Sequence, residues 1–142
     1  MKYHTNTHGP SKAGFGAGLI AAITAASANG TNQVLLLIHT FKMLDGGVIE
    51  EVLGEGTVRN LSKSREMKID DATVYLETEK TRSTFSRGVI FVPFVSLRLL
   101  DKAIADRRAT DTVYVPWAEA EWQEYLKQNS ESVEISVGKK TT

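Results

Sequence analysis

The chain has 142 residues, with 17 Lys plus Arg against 17 Asp plus Glu, 42% hydrophobic residues and no cysteine. That is one domain's worth of ordinary globular composition; it excludes a disordered tail, and zero net charge disfavours generic nucleic-acid binding. Without cysteine there is no disulfide framework, no thiolate metal site and no cysteine nucleophile.

The opening segment, Met1 to Pro10, is polar and lacks the apolar core of a secretory signal, so a cytoplasmic location is expected. Its β-branched and aromatic residues predict a strand over Lys2–Thr7, ended by Gly9-Pro10. Ser11 is a potential N-cap for a helix running to about Ala28, with Gly30 as a stop signal. No Lys, Arg, Asp or Glu occurs from Ala13 to Phe41. Even so, Asn29-Gly30-Thr31-Asn32-Gln33 breaks the apolar run short of the roughly 20 residues that a membrane span needs. The reading is two buried elements joined by a polar turn.

Val34-Leu35-Leu36-Leu37-Ile38 is a short continuous apolar run, as in a strand buried on both faces. Asp45-Gly46-Gly47 opens a short helix, Val48 to Leu53, which Gly54 and Gly56 interrupt; a second helical piece covers about Thr57 to Arg65. Thr73–Leu76 is a strand after the turn-forming Asp70-Asp71, and Glu79–Arg87 is a polar, basic connection. Gly88–Val92 is a second wholly apolar strand. Ser96 caps a helix to about Arg107, with Leu97, Leu100, Ala103 and Ile104 at helical spacing. Thr112–Val115 is a strand, Trp117–Gln128 a helix, and Val133, Ile135 and Val137 alternate with polar residues as an edge strand does. This alternation predicts an α/β domain, Rossmann-like and three-layered, with a mostly parallel sheet of about five to six strands. It spans residues 1–138, with residues 139–142 as a flexible tail.

In open α/β sheets, ligands sit beyond the carboxyl ends of the strands. The richest of those positions is His8-Gly9-Pro10-Ser11-Lys12, which leads into the glycines Gly14, Gly16 and Gly18. A glycine-rich strand-to-helix turn lets backbone amides approach a phosphate at the positive end of the helix dipole. The spacing is G-x-G-x-G, however, not the dinucleotide fingerprint G-x-G-x-x-G, and no P-loop Gly-Lys-Ser/Thr follows. Lys42, not an acid, stands near the end of the second strand. These patterns favour a small-molecule-binding module for a phosphate-bearing ligand such as a nucleotide. His8, Gly9, Ser11 and Lys12 would cradle the phosphate, Lys80 and Arg82 would close over it, and Thr40 and Trp117 would meet the sugar or base.

Two other classes fit the same residues. An enzyme, a nucleotide hydrolase or transferase, would use His8 or His39 as general base with Glu77 or Glu79 orienting it. A structural or interaction protein would self-assemble through the helix Ala13–Ala28, whose Gly14, Gly18, Ala22 and Ala26 permit close packing; whichever class holds, a homodimer through that helix is the expected form. No H-E-x-x-H or other metal spacing is present, no resident cofactor is implied, and no G-x-S-x-G supports a hydrolase elbow.

Overall fold

The strands alternate between two cores. In the computed structural model, which describes residues 1–137, Val34, Leu36 and Ile38 enter one apolar cluster, and Leu35 and Leu37 enter another. Val89 and Phe91 divide from Ile90 and Val92 in the same way, and Val113 and Val115 from Tyr114. Strands that bury both faces require a helical layer on each side.

The strands are β1 (Lys2–Thr5), β2 (Gln33–Leu37), β3 (Glu66–Ile69), β4 (Ala72–Glu77), β5 (Gly88–Pro93), β6 (Ala109–Val115) and β7 (Val133–Ile135). They form one sheet in the order β3-β4-β2-β5-β6-β1-β7. Every neighbouring pair is parallel except β3 with β4. Helices α1 (Lys12–Ala28), α2 (Val48–Leu53) and α3 (Glu55–Ser64) cover the first core. Helices α4 (Leu97–Ala105) and α5 (Glu119–Gln128) cover the second. The result is a Rossmann-like three-layer α/β fold.

The seventh strand is β3, which sequence reading passes over. Its four residues, Glu-Met-Lys-Ile, sit at the sheet edge with the charged residues exposed, and Asp70 at φ +56° turns the chain back into β4. Gly54, at φ +94°, separates α2 from α3, whereas Gly56 lies inside α3 and interrupts nothing. The tail expected at residues 139–142 lies outside the described residues. No helix among them is long and apolar enough to cross a membrane.

Ser11 caps α1 as its position suggests, its hydroxyl accepting the Gly14 N–H at 2.8 Å. The Gly14, Gly18, Ala22, Ala26 stripe is buried and faces the sheet. A Cβ on Gly18 would lie 2.7 Å from a ring carbon of Phe91 and 2.9 Å from a methyl of Val115, so glycine sets how closely α1 approaches β5 and β6. The close packing that this stripe permits is therefore taken up within the domain. The outer side of α1 carries Ile20, 67% exposed.

Topology fixes where the carboxyl edge opens. The chain leaves β2 for the α2 side and leaves β5, its neighbour, for the α4 side. It also leaves β1 for the α1 side and the adjacent β6 for the α5 side. Connections that diverge to opposite faces leave a crevice between them. A different solution joins β4 to β5, which lie on either side of β2. Residues 78–87 make that crossover without a helix, and buried Phe85 anchors it in the second core.

Candidate functional site

The two crevices merge into one cleft of about 580 Å³, within the range of small-molecule sites. All four divergent strand ends contribute to it. Pro10 comes from the turn after β1; Met43, Gly47, Val48, Ile49 and Glu51 follow β2; Phe94 follows β5, and Trp117 follows β6. The walls are mainly apolar. Among these residues Glu51 is the one with an ionisable side chain.

Two aromatics define the cleft's character. Phe94 has φ +60°, a left-handed conformation that a bulky residue rarely adopts. Its N–H donates to the Val115 carbonyl at 2.8 Å, which pins the turn to the end of β6. The ring then stacks beside Phe15 of α1 at 6.3 Å and meets the Trp117 ring edge-on at 5.6 Å. Trp117 is 50% exposed, a large apolar ring left open to solvent.

Of the residues singled out from sequence, Gly9, Ser11, Lys12 and Trp117 come together at this cleft or its rim. Their groups are partly committed. The Gly9 N–H donates to the Trp117 carbonyl at 2.6 Å, which removes it from any phosphate, and the Ser11 hydroxyl is occupied capping Gly14. Among the described residues, the Lys12 and Ala13 amides at the start of α1 find no acceptor. The Lys12 ammonium lies 3.6 Å from Glu51, and both side chains are more than half exposed. His8 is at the same edge, but its ring packs toward α5, 5.9 Å from Trp122. Exposed Thr40 precedes the 3-10 turn Phe41–Leu44, its carbonyl accepting the Met43 N–H.

Lys80 and Arg82 do not reach the cleft. They lie on the crossover between β4 and β5, with Arg82 3.8 Å from Glu77 and 3.9 Å from Asp106. There Glu77, its side chain 2% exposed, is held from several sides. It accepts both Arg108 terminal nitrogens at 2.9 and 3.0 Å, and the Ser83 amide and hydroxyl at 3.0 and 2.8 Å. Arg108 also grips Asp106, at 3.0 Å from Nε and 2.8 Å from Nη2. Burial pushes the Glu77 carboxyl up, but the hydrogen bonds from Arg108 and Ser83 outweigh it and hold the carboxyl below the usual range. Arg108 is raised in turn by Glu77 and Asp106. With these partners Glu77 has little acceptor capacity left for a substrate proton or a histidine. It fastens the crossover to the segment before β6.

His39 and Glu79 do pair, at 2.6 Å. The other ring nitrogen, Nε2, accepts the Ser96 N–H at 2.9 Å, so the proton sits on Nδ1 and points at Glu79. Arg98 donates to the same carboxylate at 2.9 Å. Hydrogen bonds from His39 and Arg98 hold Glu79 below the usual carboxylate range. The arrangement is a carboxylate–imidazole pair whose basic nitrogen already faces a backbone donor. It ties together the segments that follow β2, β4 and β5. Neither His39 nor His8 lines the cleft. Among the described residues, no three His, Asp or Glu side chains group closely enough to hold a metal ion.

Sequence reasoning missed Met43, Val48, Glu51, Asp106 and Arg108. The cleft-lining three are ordinary residues of a short turn and helix, and only their meeting with Phe94 and Trp117 gives them a role. Comparison with known proteins returns no matching family model, no matching curated protein and no matching solved structure.

Proposed function

We propose that the protein is a small-molecule-binding module whose ligand lays a planar, largely apolar group in the carboxyl-edge cleft. The observation that carries this reading is the half-exposed Trp117 ring set edge-on to the strained Phe94 over a cleft of about 580 Å³. Exposed flat aromatic surface beside apolar walls gains by covering with another flat ring. A nucleoside or nucleotide is the ligand class that joins such a ring to a polar arm. A phosphate arm would leave the cleft mouth beside Lys12 and the amides at the start of α1. The turn supplies less than its glycines suggest, because the Gly9 amide is spent on Trp117.

Thermal unfolding with nucleosides, nucleotides and inorganic phosphate tests this. A ligand at a hundredfold over its Kd adds about 2.7 kcal/mol to stability. Nucleosides are expected to raise the midpoint, nucleotides somewhat more, phosphate alone little, and Trp117→Ala is expected to abolish the rise. A panel of planar ligands that leaves the midpoint unmoved, or a rise that persists in Trp117→Ala, overturns the reading.

A further inference from the structure

We propose that Glu51 reads the edge of the bound ring, so that the preferred ligand is a planar heterocycle presenting two adjacent N–H donors, as a guanine does. The inference rests on the cleft reading above and adds the polar half of recognition to it. Three observations carry it. First, the cleft walls contributed by Pro10, Val48, Ile49 and Phe94 have no side-chain hydrogen-bonding group, and the weak-acceptor sulfur of Met43 is taken by the His39 backbone N–H at 3.3 Å, so among the lining side chains the polar contacts fall to Glu51 and the Trp117 indole. Second, the backbone fixes where Glu51 stands. It lies on α2, whose start is held by buried Ile49 in the first core, and its N–H bonds the Gly47 carbonyl at 3.0 Å. Third, its present partner is weak and replaceable. Lys12 approaches one oxygen at 3.6 Å, with both side chains largely in water, so exchanging that contact costs little.

A carboxylate offers two acceptor oxygens and no donor. It complements an edge with two parallel N–H groups and repels an edge that presents a ring-nitrogen lone pair. Guanine has the first kind of edge at N1 and its exocyclic amine. Adenine places a lone pair at the equivalent ring nitrogen, and inosine lacks the amine. When the ligand takes both Glu51 oxygens, the Lys12 ammonium is released at the mouth of the cleft, where it is free to meet an anionic arm.

Titration calorimetry of guanosine, inosine and adenosine against the wild-type chain, Glu51→Gln and Trp117→Ala tests the inference. Guanosine is expected to bind the wild type about tenfold more tightly than adenosine, the scale of one good bidentate contact, with inosine between. Glu51→Gln is expected to remove that preference by weakening guanosine and strengthening adenosine, whose ring-nitrogen lone pair and amine an amide complements, and Trp117→Ala to weaken all three. Equal binding of guanosine and adenosine, lost in Trp117→Ala, overturns the Glu51 inference and leaves the cleft reading standing. A guanosine preference that survives Glu51→Gln also overturns it. Absence of binding by all three to the wild type defeats this inference, and the cleft reading then stands or falls on the wider panel.

Discussion

The carboxyl-edge cleft and the Glu77–Arg108 clasp are opposites in how their surface is used. The clasp gathers Glu77, Asp106 and Arg108, which spend most of their hydrogen bonds on one another and on Ser83, while Arg82 stands beside them, exposed and 3.8–3.9 Å from the carboxylates. The cleft has one carboxylate at its rim and a large ring exposed to water. By charge count the clasp looks like a site, yet its buried carboxylate and the arginine that holds it are already spent on each other. The cleft looks bland, but its apolar surface is uncovered. Concentration of ionisable residues therefore marks a fastening here, and unspent surface marks the cleft proposed for a ligand.

The largest expected effect breaks the fastening. Arg108→Met leaves Glu77 buried without its bidentate partner and is expected to cost about 3 kcal/mol, measured as a lower urea midpoint at unchanged slope. Ligand binding in the cleft is expected to persist under native conditions, because the two regions share no side chain. Next comes Gly18→Val on the sheet-facing stripe of α1. Its added carbons collide with Phe91 and Val115, which should cost about 1–3 kcal/mol in the same assay.

Acid sharpens the comparison further. The folded-state value of Glu77 is depressed, so its contribution is complete above the usual carboxylate range and is lost as pH falls through the depressed value. His4 follows the same sign for another reason. It is buried beneath Tyr125 and bonded to Ser132 at 2.8 Å; desolvation lowers it, only partly offset by Glu134. Its contribution is present above the imidazole range and declines as pH falls through its lowered value. Urea midpoints followed downward from pH 7 should thus fall in two stages, the histidine stage first. His4→Phe is expected to remove the first stage, and Arg108→Met to flatten the second. The smallest effect on stability belongs to Trp117→Ala, under about 1 kcal/mol because half the ring is already in water. A loss as large as that of Arg108→Met would make Trp117 part of the core and erase the contrast between the regions.

The layered fold was legible because its signals are local. The runs Val34–Ile38 and Gly88–Val92 announce doubly buried strands, and Ser11 and Ser96 cap the helices that follow, Ser96 accepting the Leu99 N–H at 3.3 Å. β3 was not, since four half-exposed residues on an edge carry no periodic signal long enough to distinguish from a turn. The candidate site was half legible. Strand ends can be listed from sequence, which brings in Gly9, Lys12 and Trp117. Whether the Gly9 amide faces a ligand depends on a carbonyl from the other end of the chain, and whether Arg82 faces the cleft depends on which face residues 78–87 cross. Both are consequences of strand order, which no local pattern encodes.

Strand order also governs how the molecule is assembled. β1 is not a border strand: it is inserted between β6 and β7, with Tyr3 registered against Val113 on one side and Val133 on the other. Its two partners follow it far along the chain, so during synthesis β1 must wait for β6 and β7 before it is hydrogen-bonded on either side. Removing it would not trim the sheet but split it, stranding β7 and baring a fresh row of amides and carbonyls along β6. Deletion of β1 should therefore yield a chain that sticks to its neighbours.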